Sequence, residues 1–376
     1  MQRTHRLRVV AWVTVVVGVG AIGASQHPAH ASDCDPAKQG CFSLASTIAF
    51  SSTRDNPGAI PPFQAAEIYL LNPDGSDPRR LTDNTAGDGF PNLSPDGKTI
   101  VFDSSRLTGL QNVSDLFLME TDGSEQTLLT RGSSATWSPD GKEIAFHASA
   151  SYYASGGLVT GDPIRPDPGS ATTDSDIFVA NVDDLLAGTA QPTNITNTPD
   201  QIEDDADWSS VPTSAPQGQS IVFTSHAAAD TNQSNPTDAE LYVMNQDGSG
   251  RLRLTDNSYE DRAPSWSPDG TRIAYSCRSG GTVFHICVIN ADGTGFQQLT
   301  NAAAGDLTAS WSPDGQQILF HRNLSLALGG PQLFVIDASG LNETKLTCPT
   351  GGTCPAPLGG INLIAHWGQL RVHSKH

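Results

Sequence analysis

Basic residues are scarce in this chain. Its 376 residues hold 21 Lys and Arg against 40 Asp and Glu, a formal charge of −19 at pH 7. Such a surface repels phosphate backbones and anionic lipid, which excludes nucleic acid and membrane surfaces and favours cationic partners. Uninterrupted helical stretches are also lacking. The 36 Gly and 25 Pro cut the chain into short elements joined by turns. Apolar residues at 37% still suffice for a buried core. Only residues 9–22 form a long apolar run, and nothing later approaches the length of a membrane span.

That single run carries the marks of a leader. Arg3, Arg6 and Arg8 precede it and Ala29-His30-Ala31 offers a small-x-small cleavage site, so residues 1–31 are expected to be a secretory signal peptide. Its removal takes away three basic residues and no acid, leaving a secreted or periplasmic product of charge −22. The six cysteines agree with an oxidising compartment. They fall into close pairs, Cys34/Cys41, Cys277/Cys287 and Cys348/Cys354. Fifteen connectivities are formally possible, and nearest-neighbour pairing needs no distant contact. None of the pairs has the two-to-four-residue gap of a zinc knuckle.

Internal repetition organises the rest. Trp-Ser-Pro-Asp-Gly begins at Trp137, Trp266 and Trp311, a Leu variant begins at Leu93, and degenerate copies begin at Trp208 and Trp367. A β-rich triplet follows the first five, beginning at Ile100, Ile144, Ile221, Ile273 and Ile318, and a sixth at Ile48 has no Trp phrase before it. Next comes a polar residue leading an aliphatic-aromatic run, at Glu67, Asp115, Asp176, Glu240, His285 and Gln332. Asp-Gly turns and a Leu-Thr or Ile-Thr strand close the unit. Four strands per unit predict propeller blades. The C-terminal strand around Trp367 lacks its unit, whereas residues 47–82 lack their first strand, so the two fragments complete one blade. The chain is therefore expected to be all-β: a six-bladed β-propeller of four-stranded antiparallel blades, closed by its N- and C-terminal strands. Residues 32–42 form a short N-terminal segment, 43–372 the propeller and 373–376 a tail.

The order Pro-x-Trp-Ser-Pro-Asp-Gly, Ile-Ala-Tyr, Glu-Leu-Tyr-Val-Met, Asp-Gly-Ser and Arg-Leu-Thr, clearest in residues 240–300, resembles the WD40-like repeat of the TolB β-propeller family. The resemblance covers about residues 43–372 and implies the fold. It says less of function, because this repeat serves binding scaffolds, peptidase accessory domains and some carbohydrate-active enzymes. TolB's own α/β domain has no counterpart in the sequence, so the docking functions of that domain do not carry over. The Gly-x-Ser-x-Gly motif of propeller peptidases is missing as well.

Most repeated residues read as structural. Asp96, Asp140, Asp269 and Asp314 sit in hairpin turns, the Trp side chains wedge between blades with their N–H on a backbone acceptor, and Arg54 and Arg106 suit ion pairs with Glu67 and Asp115. Functional candidates stand five residues before each marker, where Asp88, Glu203, Asp261 and Asp306 accompany Gly132 and Asn362. Symmetry places these acids around one channel mouth, with Asp204, Asp205 and Asp207 extending Glu203 and Glu260 preceding Asp261. Such a ring suits Ca²⁺ or a Lys- or Arg-bearing peptide, or is simply a solvated acidic rim. Three long connections, 53–66, 148–175 and 227–239, lie on the same face. The middle one carries Tyr152 and Tyr153, either contact anchors or part of an inserted surface loop. His147, His226 and His321 follow second strands and suggest a metal-assisted polysaccharide lyase or glycoside hydrolase as the alternative, since some propeller lyases hold a divalent metal with such histidines. The favoured expectation is a monomeric, non-catalytic binding scaffold for an extracytoplasmic protein, peptide or cell-envelope glycan.

Overall fold

The computed structural model describes residues 47–55, 66–107, 114–150, 153, 175–199, 201–211, 220–227, 239–324, 331–346 and 362–368. The leader, Cys34, Cys41, Cys348, Cys354, Tyr152 and most of the three long connections lie outside these residues. Among the described residues no helix is long and apolar enough to cross a membrane.

Six four-stranded antiparallel sheets follow one another along the chain. Their inner strands are Asn362–Trp367 in blade 1, then Asp88–Leu93, Ser133–Trp137, Gln201–Trp208, Asp261–Trp266 and Asp306–Trp311 in blades 2 to 6. Blade 1 is built from both ends of the chain: Ile48–Ser52 pairs antiparallel with Asn362–Trp367 on one side and with Glu67–Leu71 on the other. The fold is the expected six-bladed propeller, sealed by terminal strand pairing.

The second strands read as continuous apolar runs because both faces of every blade are covered. Six core clusters each straddle a boundary between consecutive blades. One joins Ala49, Ile68 and Leu81 of blade 1 to Ile100 and Phe102 of blade 2. The last joins Leu319, Leu333 and Leu346 of blade 6 to Ile48, Phe50 and Trp367 of blade 1. Alternate residues of one strand thus belong to different cores, as the strand period of two requires. Cys277 and Cys287 are disulfide-bonded within the core between blades 4 and 5.

Turn chemistry explains the repeated phrases. In Ser-Pro-Asp-Gly the serine hydroxyl donates to the aspartate, at 2.8 Å for Ser94 to Asp96 and 2.6 Å for Ser267 to Asp269. The same oxygen accepts the N–H of the next strand's first residue, Thr99 or Arg272. Trp137 and Trp311 donate their indole N–H to Asn92 O and Ser265 O of the preceding blade. Trp208, Trp266 and Trp367 do not follow this pattern; among the described residues their buried indole nitrogens have no acceptor.

The later Asp-Gly turns have a further role that the sequence conceals. Those at Gly75, Gly123 and Gly248 pack on the backbone at the outer strand of the preceding blade so closely that only glycine fits, and Gly293 is nearly as tight. A Cβ on Gly248 would lie 2.0 Å from Ile195 O, and one on Gly75 would lie 2.2 Å from Leu346 O, across the ring closure. Blade 3 replaces this turn with a short helix, Val182–Ala187, which Asn181 caps and which buries Val182 and Leu185.

Gly141, with a similar left-handed φ of +72°, is less crowded: an added Cβ would meet Pro95 Cδ at 3.6 Å, an ordinary contact. Gly141→Ala should therefore cost only the left-handed penalty, roughly 1–2 kcal/mol. Gly248→Ala must also push two blades apart and should cost on the order of 3 kcal/mol or more. Urea unfolding of both variants checks the order; equal losses would mean that the turns do not lock neighbouring blades.

Candidate functional site

The inner-strand acids are brought to corresponding places in their blades, where they are buried and bonded instead of standing open around a mouth. Asp88 accepts from Ser104 Oγ at 2.6 Å, Asn84 Nδ2 at 2.7 Å and the Arg106 guanidinium at 3.0 Å. Glu203 accepts from Thr198 Oγ1 at 2.6 Å and pairs with Arg251 at 2.9 Å. Asp306 is held by Arg322 through two bonds of 2.6 and 3.0 Å, and Arg322 reaches Glu343 as well. Asp261 differs. Asn257 bonds it at 2.8 Å, but among the described residues no guanidinium pairs with it, and burial together with Glu240 and Glu260 pushes its carboxyl up to about 7.

The arginines that neutralise these acids also stack on a cross-strand aromatic pair. Phe102 and Phe117 of blade 2 lie 5.8 Å apart, and the Arg106 guanidinium sits 4.4 Å over Phe117. Arg251 covers Phe223 and Tyr242, and Arg322 covers Phe320 and Phe334, in the same way. A desolvated cation over a ring face adds to the ion pair below it. This arrangement corrects the expected pairs of Arg54 with Glu67 and Arg106 with Asp115. Glu67 instead takes Arg80 and the Thr82 hydroxyl, and Asp115 takes Arg131, because the outer strand lies nearer to them. Arg54 stacks on Phe50 and Tyr69.

Among the described residues, blade 3 has neither acid nor arginine at this place. Gly132 replaces the acid, since a Cβ there would meet the Phe146 ring at 2.4 Å. Tyr153 fills the guanidinium position, its ring 4.7 Å from Phe178 and its hydroxyl donating to Arg131 O at 2.5 Å. Tyr153 is thus half-buried and packed against the core between blades 2 and 3.

The histidines do not assemble. His321 bonds Thr308 Oγ1 at 2.7 Å, and burial lowers it to about 4. His147 is lowered by burial, with Asp205 opposing the shift. His226 is buried in the second strand of blade 4. Among the described residues no group of three or more His, Cys, Asp or Glu is disposed to hold a metal ion.

Where the inner strands converge, the geometry singles out residues that sequence reasoning passed over. Five inner strands carry a residue with left-handed backbone at the same place, Phe90, Ser134, Asp205, Ala263 and Thr308. Each marks a β-bulge that turns the strand toward the axis. Two small cavities follow. One of about 50 Å³ is lined by those five residues and His366. Another of about 60 Å³ is lined by one polar residue from every blade: Asn92, Thr136, Asp207, Ser265, Ser310 and His366. Each of these six directly precedes a marker Trp or Leu, the signal by which the sequence could have revealed them.

Blade 4 makes this axial passage acidic. Its inner strand supplies Glu203, Asp204, Asp205 and Asp207. Asp204 Oδ1 is buried with no hydrogen-bond partner, and burial and the Asp205 charge push its carboxyl well above the usual range. Arg262 approaches but is engaged by Glu260. Burial raises Asp207 to about 6 and Asp103, which accepts from Ser133 Oγ and the Ser134 N–H, to about 8.

These features define a six-bladed propeller with a narrow polar axis and one acidic wall. A family profile described as the TolB beta propeller domain matches residues 197–357, and the chain is a TolB-like six-bladed β-propeller. TolB from Acinetobacter baumannii is similar in structure, at a TM-score of 0.61 and 18% identity over 87% of this chain and 67% of that one. A putative TolB from Agrobacterium tumefaciens gives 0.50 and 18% over 86% and 91%. In sequence, an uncharacterized protein of Agrobacterium fabrum is 28% identical over 220 residues, 57% of this chain and 62% of its own length.

The shifted groups set the pH dependence. Asp103, Asp207 and Asp261 titrate higher folded than their unfolded value of about 3.9, so their ionisation removes stability as pH rises toward 8. His321 and His366, lowered by burial to about 4, add stability as pH rises from that value to about 6.5 and keep it unchanged above. The melting temperature should therefore fall from about pH 6.5 to 8. Asp261→Asn should raise it at pH 8 and leave it nearly unchanged at pH 4, whereas Asp306→Asn, which leaves Arg322 with Glu343 as its one carboxylate partner among the described residues, should cost about 3 kcal/mol. Calorimetry across this range decides, and equal behaviour of the two variants would contradict the assignment.

Proposed function

We propose that this protein is a non-catalytic, extracytoplasmic binding scaffold that receives a Lys- or Arg-bearing segment of a protein or peptide, or a cell-envelope glycan, at the axial mouth beside blades 4 and 5. The observation that carries this reading is the unequal treatment of the acids. Asp88, Glu203 and Asp306 are each paired with an arginine of their own blade, whereas Asp204 makes no ion pair among the described residues and lies next to Asp205; its Oδ1, like Glu203 Oε2, is buried with no donor. A cation supplied by a partner would complete Asp204 and relieve its repulsion with Asp205, so binding is favoured where the empty protein is least satisfied. The TolB-like fold supports a scaffold role. Export rests on the basic and apolar leader in residues 1–31.

The test is fluorescence anisotropy with Lys-rich and Glu-rich peptides of equal length. The Lys-rich peptide should bind and weaken with added salt. Asp204→Asn with Asp205→Asn should lower its affinity about tenfold, the worth of one lost charge-assisted bond. Binding that the double variant leaves unchanged, or preference for the Glu-rich peptide, would overturn the proposal.

A further inference from the structure

We propose that the axial cavity at Asp207 holds one small monovalent cation, shared among oxygen atoms of several blades. The argument begins with what this position has to do. In blade 6 it is occupied by Ser310, whose hydroxyl oxygen accepts the N–H of Trp367 from the next blade at 3.1 Å. Asp207 performs the same task in blade 4, accepting the N–H of Trp266 at 2.7 Å. A hydroxyl therefore suffices to lace neighbouring inner strands, and the carboxylate charge at Asp207 is surplus to that role.

Among the described residues, nothing lining either axial cavity offsets the charge. Their residues include Asp205 and Asp207 but no Lys or Arg. Among the described residues His366 is the one other titratable group lining them, and burial keeps it neutral above about pH 4. Its Nδ1 lies 3.4 Å from Asn92 Nδ2, which can only donate, so this ring nitrogen is unprotonated.

The hydroxyls beside Asp207 orient the cavity further. Thr136 Oγ1 donates to Asp207 Oδ1 at 3.1 Å, and Ser265 donates to the same carboxylate. Both hydroxyl protons are spent on the anion, so the lone pairs of both oxygens are left for the axis. The wall is then negative and built of acceptors, which suits a cation better than an anion or an apolar group. One carboxylate already occupied by four donors is too little for Ca²⁺, which gathers several carboxylate and carbonyl oxygens. A volume of about 60 Å³ admits a monovalent ion with a few waters.

The experiment compares thermal melts of the full propeller at pH 8 in NaCl, KCl and choline chloride of equal ionic strength, choline being too large for the cavity. The wild type should melt several degrees higher in one alkali salt than in choline, with a dependence that saturates as a single site does. Asp207→Ser, which recreates the Ser310 arrangement, should melt higher than wild type in choline and lose the difference between salts. Asp207→Asn provides the same readout if the serine variant does not fold. Crystals soaked in RbCl should show an anomalous peak on the axis next to Thr136 and Ser265. Equal wild-type melts in all three salts, a salt difference that survives removal of the carboxylate, or no axial peak would each overturn the proposal. Peptide binding at Asp204 and Asp205 is read separately and does not bear on the outcome.

Discussion

Every blade is a thin sheet with two apolar faces, and neither face can be left in water. That constraint organises the molecule. A single sheet would lose both faces to solvent, and an open row would still expose one face at each end. Bending the row into a ring gives each face a partner, so all six cores are interblade cores, including the one that joins Leu319 and Leu333 to Ile48 and Phe50. Convergence of the inner strands follows from the ring. Space at the axis is limited to one short side chain per blade, and the bulges at Phe90, Ser134, Asp205, Ala263 and Thr308 adapt the strands to it.

The acidic composition is reconciled with this packing by local neutralisation. The inner-strand acids look like a ring of like charges when only their spacing is considered. In three blades a guanidinium both pairs with the acid and covers the aromatic ladder, joining an electrostatic contact to an apolar one. Breaking the acid leaves a half-buried cation in the blades of Arg106 and Arg251, and breaking the arginine leaves a buried anion. Such pairs hold the geometry in place even where their net contribution to stability is small. The acids that escape this arrangement, Asp204, Asp205, Asp207 and Asp261, lie on blades 4 and 5, so the functional asymmetry of a pseudo-symmetric molecule is concentrated there.

The fold was legible because it is written six times. Ser-Pro-Asp-Gly encodes one turn, the Ile-x-aromatic run one buried strand, and the orphan strand at Trp367 told how the ring closes. Contacts within the site were less legible, for a geometric reason. The guanidinium over the aromatic pair comes from the loop after the second strand in Arg106, from the second strand itself in Arg322, and from the third-strand hairpin in Arg251. Three places in the chain reach one place in space, and no fixed spacing describes them. Tyr153 enters the same slot in blade 3 without any charge to announce it. The axial residues were hidden by contrast in plain view: Asn92, Thr136, Asp207, Ser265, Ser310 and His366 share a sequence position but not a chemical type.

Terminal strand pairing also fixes an order of events. The register of Ile48 with Trp367 joins residues from opposite ends of the propeller, so the slowest loop to close is the whole domain. Blades 2 to 6 can form as hairpins while the chain is still emerging, but blade 1 must wait for its last strand. Until then the apolar faces of Ile48, Phe50 and Leu319 have no lasting cover. A chain delivered across a membrane in extended form would acquire its cooperative stability only at the final stage of delivery, which makes the closing strand a timer for folding as well as a seal.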